Sequence, residues 1–273
     1  MTLTERLEEL CRRFAGVAGF AALHLDSGES LGIRAEESFP TASAIKVFVL
    51  HTLFAKAAAG ELSLEERRTL PSERTLGSGV LLHLGPGLAP SLGDLATLMM
   101  MVSDNLATNL LIDELGVAAI NAQIRAAGLG HTSLRGRIDF SRLSSDKTAL
   151  GVSTPADLAR YFARLRKGEL LGSPWAERLL DVMRIQKYIE PLRRQLPADP
   201  YAREFGEPEP VWVASKTGSL SGVRSEAGLV HTPKAEWSIA VMTRDVRDTR
   251  VTSDNEALRL IAEVSRAVYD AWG

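Results

Sequence analysis

Strand-forming segments lie at both ends of this chain, and helix-forming segments fill the middle. Residues 19–25 and 29–34 are apolar, β-prone runs, and Asp26-Ser27-Gly28 between them reads as a turn. Strand signals return only at 211–215, 227–230 and 237–242. Between the two groups the apolar residues recur at helical spacing. Helices are expected over 43–59 (stopped by Gly60), from Ser91 to just before Ser103, over 106–115, over 117–127 (stopped by Gly128), and over 175–185. Thr154-Pro155 is a cap followed by proline at the first helical position, opening a helix to residue 166. Leu3, Leu7, Leu10, Cys11 and Phe14 mark an N-terminal helix. A final helix is expected from Ser253, with Glu256 completing a capping box, to about residue 272. This order predicts an α/β fold of the α+β sandwich kind: an antiparallel sheet built from both chain ends, flanked by helices, with an all-helical lobe inserted. We expect a single domain over 1–273, its sheet lobe approximately 1–42 and 205–273 and its helical lobe approximately 43–204.

Composition narrows the partners. With 273 residues, 45% of them hydrophobic, the chain can bury a real core. A net charge of -2 predicts no nucleic-acid or membrane-surface partner. A monomer with a small-molecule substrate is expected. The basic pairs Arg12-Arg13 and Arg193-Arg194 are expected on solvated helix faces. The single cysteine, Cys11, excludes an internal disulfide and is expected as a buried structural thiol. The five histidines show no metal-ligand spacing, and no cofactor is implied. Gly85-Pro86-Gly87 reads as a turn, and Met99-Met100-Met101 as core packing. The N-terminus is charged and helix-like, unlike a secretory signal. That predicts a cytoplasmic protein, or an exported one whose leader was removed.

Three short motifs then stand in order: Ser43-Ala44-Ile45-Lys46, Ser103-Asp104-Asn105 and Lys216-Thr217-Gly218. Ser43 and Lys46 are one helical turn apart and share a face. A serine hydroxyl needs an adjacent base to act as nucleophile. Lys46 can be that base only if burial and a second cation, for which Lys216 is the candidate, pull its pKa below the usual value of about 10.4. Ser43 at a helix N-terminus is also favoured by the helix dipole. Two decoys fail on context. Ser144-Ser145-Asp146-Lys147 lies in a polar, loop-like stretch, and Ser253-Asp254-Asn255 follows the Lys-Thr-Gly triplet and reads as a helix cap.

With these motifs the chain resembles the active-site serine penicillin-recognising enzymes, most closely their class A β-lactamase-like branch. The likeness extends to Leu31-Gly32, Phe39-Pro40, Ala59-Gly60-Glu61-Leu62 and Asn109-Leu110-Leu111. It implies a two-lobe sandwich with the site between lobes. It implies Ser43 as nucleophile, Lys46 as base and Ser103 as proton relay to the leaving nitrogen. Asn105 would orient Lys46 and touch the substrate amide. Lys216 and Thr217 would hold a substrate carboxylate, Gly218 would let the strand edge approach, and the Ser43 and Ser219 amides would form the oxyanion hole. Arg224 is a candidate extra carboxylate anchor. The chain departs from the pattern at the deacylating glutamate, because the E-x-x-L-N signature is missing. Within Arg135–Leu143, Arg137-Ile138-Asp139 could replace Arg-x-Glu, with Asp139 as the base; alternatively Asp139 is a loop carboxylate paired with Arg135 or Arg137. Three functions remain open: a β-lactamase; an esterase or D-alanyl-D-alanine peptidase; and a penicillin-binding protein that acylates without turnover.

Overall fold

The computed structural model describes residues 2–187, 191–199 and 201–273. Helix α1 (Leu3–Arg13) leads into strands β1 (Val17–His24), β2 (Ser30–Ile33) and β3 (Phe39–Pro40). A 3-10 turn (Ala42–Ile45) then runs into α2 (Lys46–Ala58). Helices α3 (Leu92–Met101), α4 (Asn105–Leu115) and α5 (Val117–Ala126) follow. Next come β4 (Ser133–Leu134), α6 (Phe140–Ser145), β5 (Gly151–Ser153), α7 (Pro155–Arg166) and α8 (Ser173–Arg184). The chain finishes with β6 (Trp212–Leu220), β7 (Val223–His231), β8 (Glu236–Arg244) and α9 (Glu256–Trp272).

The expected sheet is there. Its order is β2-β1-β8-β7-β6, with every neighbouring pair antiparallel, so strands from the two chain ends meet where Val17 pairs with Arg244 and His24 with Trp237. β7 and β8 are buried over almost their whole length, as strands covered on both faces must be. One face carries Phe20, Val213, Val230, Trp237 and Ile239 against α1 and α9, where Leu7, Ile261, Val264 and Val268 close a core. The other face, with Ala214, Ala227, Leu229, Ala240 and Met242, packs on the larger core made by α2, α3, α4, α7 and α8. Met99 and Met100 lie in that core, fully buried. Although it falls within residues 43–204, α7 lies directly on β1, β7 and β8.

Local signals set most helix starts. Ser91 and Asp94 make a reciprocal capping box, and Thr154 caps α7 ahead of Pro155. At α9 the cap is Asn255, two residues later than expected from Ser253; its side chain accepts from the Ala257 and Leu258 amides. The small sheet β3-β5-β4 and the one-and-a-half-turn α6 were not anticipated. Arg193 departs from the solvated-face expectation: it is buried and donates to the Val213 carbonyl. Cys11 is buried between α1 and the sheet, and burial pushes its thiol up to about 11. Among the described residues no helix is long and apolar enough to cross a membrane, and no three of His, Cys, Asp and Glu gather as a metal site.

Candidate active site

The three motifs converge where β6, the free edge of the sheet, meets the turn before α2. Gly218 makes this contact possible: a Cβ there would lie 2.4 Å from the Thr41 carbonyl oxygen and 2.9 Å from the Ala44 nitrogen. From β7, the Ser225 hydroxyl donates to the same Thr41 carbonyl at 2.8 Å. Ala42, the residue before Ser43, is held at φ 46, a left-handed conformation uncommon without glycine. This elbow places Ser43 in the first turn of the 3-10 helix, where backbone N–H groups lack intrahelical acceptors.

Lys46 is fully buried. Its Nζ donates to the Ser103 carbonyl (2.8 Å), to Ser103 Oγ (2.9 Å) and to Asn105 Oδ1 (3.1 Å). Burial holds its pKa well below the ordinary lysine range; the charge of Lys216 lowers it further, and Asp104 opposes both. The ammonium thus sits between the first and second motifs in an environment that favours the neutral amine. Ser103 has φ 53, and the strain of this turn is held by Asp104, which caps α4 through Ala107 and accepts from the Val80 and Leu81 amides. Asn105 Oδ1 accepts from Lys46, while its Nδ2 donates to the Leu76 carbonyl at 3.0 Å.

Ser43 opens into a cavity of about 170 Å³. Seven of its nine lining residues carry hydroxyls: Ser43, Ser78, Ser103, Thr217, Ser219, Ser225 and Ser253, with Val251 and Leu258 closing one side. Lys216 is fully buried behind this wall and donates to the Thr217 carbonyl (2.9 Å) and to Gln186 Oε1 (3.3 Å). On the far face of β6, Ser215 donates to the buried Glu226, which also accepts from the Leu192 amide. Burial pushes the Glu226 carboxyl up to about 7 against the pull of these donors and of Arg193 and Lys216.

Two expected site residues are turned to other work. The Asp139 carboxylate is exposed and accepts from the Ser141 amide, the Ser141 hydroxyl and the Arg142 amide, capping α6. The Ser141 hydroxyl bond leads in holding its pKa below the usual carboxylate value. Asp139 faces a separate groove between residues 71–76 and 137–142, outside the Ser43 cavity. Neither expected arginine pairs with it: Arg135 donates to Thr148, and Arg137 pairs with Asp113 at 3.2 Å. Arg224 is buried, its guanidinium spent on the carbonyls of Leu220, Val223 and Arg250, and it does not line the cavity. Through Arg250 it braces the loop that brings Val251 and Ser253 to the cavity wall.

Sequence reasoning missed Ser78, Ser225, Ser253, Gln186 and Glu226. Ser253 belongs to the triplet set aside as a helix cap, and Asn255 of that triplet is indeed the cap. Ser225 and Glu226 follow Arg224 on one strand, a polar pair within an apolar run that marks a site. Gln186, just past α8, carries no sequence signal.

Residues 2–272 match the Beta-lactamase enzyme family. A β-lactamase from Sphaerobacter thermophilus DSM 20745 superposes with a TM-score of 0.86 at 28% identity, covering 98% of this chain and 96% of that one. PBP-A superposes at 0.82 with 30% identity, covering 98% and 95%, and a mutant of PBP-A has been solved as an acyl-enzyme complex with penicillin G. An ancestral class A β-lactamase gives 0.85 at 26% identity, covering 99% and 100%. Motifs, fold and comparisons agree, and the chain belongs to the Beta-lactamase enzyme family.

Proposed function

We propose that this protein is a serine acyl-transfer hydrolase that opens β-lactams onto Ser43 and releases the product slowly. The observation that carries the reading is the asymmetry of the Ser43 cavity. A buried lysine with a lowered pKa, three residues along from Ser43, is hydrogen-bonded to the cavity-lining Ser103, whereas no carboxylate lines the cavity among the described residues. The neutral Lys46 amine takes the Ser43 proton as Oγ adds to the lactam carbonyl. Backbone amides of Ser43 and Ser219 receive the oxyanion. The C–N bond breaks as Ser103 Oγ passes its proton to the lactam nitrogen and regains one from Lys46, leaving the ester on Ser43 and the amine neutral. The 2.9 Å bond between Lys46 and Ser103 supports this relay. The acyl-enzyme known for a PBP-A mutant supports the same chemistry.

Hydrolysis of that ester needs a group to activate water. Asp139 caps a helix, so the role falls back on Lys46, which is available once its proton has reached the leaving nitrogen. Esters and D-alanyl-D-alanine-ended peptides then compete with β-lactams as substrates that turn over.

The test is the intact mass of the protein over time after mixing with benzylpenicillin, with Ser43→Ala beside it. The expected result is a stoichiometric adduct, absent from the variant, that decays over minutes or longer. Rapid ring opening with no accumulated adduct would make the protein an efficient β-lactamase with another base. No Ser43-dependent adduct or ring opening would remove β-lactam acylation.

A further inference from the structure

Gln186 lies just past the end of α8, against the edge of β6, and its side chain is only 4% exposed. Its Oε1 gathers three donors from the third motif: Thr217 Oγ1 at 3.1 Å, Lys216 Nζ at 3.3 Å and the Thr217 amide at 3.4 Å. Its Nε2 has no hydrogen-bond partner among the described residues. The network fixes which way the amide points, since the reverse orientation would set an NH₂ group against an ammonium, a hydroxyl proton and an N–H. A buried donor without a partner is unfavourable. The arrangement therefore satisfies the Lys-Thr-Gly triplet while leaving the glutamine's own donor unpaired.

Thr217 lines the Ser43 cavity and has one hydroxyl proton. At rest that proton goes to Gln186, so the hydroxyl shows only lone pairs to the cavity. An anion arriving there takes the proton, and Gln186 keeps the Lys216 ammonium and the Thr217 amide in place while the hydroxyl turns. The neutral amide does this without cancelling the Lys216 charge. A carboxylate in its place would accept the same bonds and erase the field that draws an anion in.

We propose that Gln186 is a positioning residue for substrate specificity: it holds Lys216 and Thr217 as a paired donor set and makes the site prefer acyl donors with a free carboxylate beside the scissile amide. This rests on the Ser43 acylation reading above, and the test separates the two.

Rates of Ser43 acylation are measured by intact mass with benzylpenicillin and with its methyl ester, for wild type, Gln186→Met and Gln186→Glu. Gln186→Met fills the same space without an acceptor; Gln186→Glu keeps the acceptor and adds a negative charge. Wild type is expected to prefer the free acid. Gln186→Met lowers the acid-to-ester rate ratio by about tenfold, and Gln186→Glu lowers it further. An equal loss on both substrates in both variants would make Gln186 a merely structural residue and overturn the proposal, as would no loss. In parallel, N-acetyl-D-alanine and its methyl ester are titrated onto each protein while the Thr217 and Ser219 amide resonances are followed. Carboxylate-dependent shifts in wild type that weaken in both variants uphold the role of Gln186 even if Ser43 is never acylated, in which case only the acylation reading falls. No carboxylate-dependent shift in wild type overturns the proposal.

Discussion

The wall of the Ser43 cavity made by β6 and the wall of the neighbouring groove made by residues 137–142 are built by opposite means. Around Ser43 and β6 the charged groups Lys46, Lys216 and Glu226 are buried and shared: Lys46 between Ser103 and Asn105, Lys216 between Thr217 and Gln186, and Glu226 with Ser215. On the 137–142 side the carboxylate is exposed and satisfied within its own turn by Ser141 and Arg142. A shared, buried group has its protonation set by its neighbours, which is how a lysine becomes a base. A self-satisfied surface carboxylate is a helix cap whose ionisation changes nothing across the cavity. The groups proposed to carry acylation are thus buried and shared, whereas residues 137–142 line a groove outside the Ser43 cavity.

This contrast can be broken from either side. The largest effect is expected for Lys46→Met, which should slow Ser43 acylation by about a thousandfold, read as adduct formation by mass. In the wild type, acylation should fall as the pH is lowered, because only the neutral amine accepts the Ser43 proton and its pKa lies well below that of an ordinary lysine. An unchanged rate in Lys46→Met would dissolve the distinction between the walls. Next is Gly218→Ala. Its Cβ would meet the Thr41 carbonyl oxygen at 2.4 Å, so the strand edge must move away from Ser43. Acylation should fall about a hundredfold with the fold intact by circular dichroism.

Glu226→Gln sharpens the comparison through stability. The folded protein holds the Glu226 proton up to a pH of about 7, whereas the unfolded chain releases it near the ordinary glutamate value of 4.5. The unfolded state therefore binds fewer protons between those values. The stabilisation tied to this group is complete below pH 4.5 and is lost as the pH rises through about 7. Denaturant titrations at pH 5 and pH 8 should show the variant losing less stability than wild type over this span, by roughly 2–3 kcal/mol. Equal losses would take Glu226 out of the buried network. The smallest effects belong to Asp139. Asp139→Ala should lower stability slightly through the lost cap, and Asp139→Asn hardly at all. Neither should change the lifetime of the Ser43 acyl-enzyme more than about twofold. A lifetime lengthened far beyond that would return Asp139 to the mechanism.

What the sequence made legible was local or carried by motif order. Ser91 with Asp94 and Thr154 with Pro155 announce helix starts because each device is complete within four residues. The sheet built from both chain ends could be read from where the apolar runs lie. That Ser43, Lys46, Ser103 and Lys216 lie close together was legible because three ordered motifs bind them. Strands of two or three residues, as in β3, β4 and β5, are too short to show a period. Asp139 looked like a base because it falls where a carboxylate was sought, although Asp139-Phe140-Ser141 is equally a cap followed by a helical turn. Arg224 was identified as a basic residue near the triplet, but the carbonyls that take its charge come from residues 220, 223 and 250 as well as from the fold that brings them together. Gln186 and Glu226 acquire their roles only through tertiary approach, and no spacing rule anticipates that.

The pairing of β1 with β8 also determines when the protein can work. Residues 17–24 wait for residues 236–244 before the sheet closes. Closing so long a loop carries a large entropic cost that is recovered only once the strands have zipped. During synthesis Ser43 and Lys46 emerge early, whereas Lys216 and the β6 edge arrive near the end. The half-made chain therefore holds Ser43 and Lys46 without Lys216 and without the β6 edge. It gains reactivity in a single late step, when the C-terminal strands dock, and a chain truncated before β8 should be chemically silent.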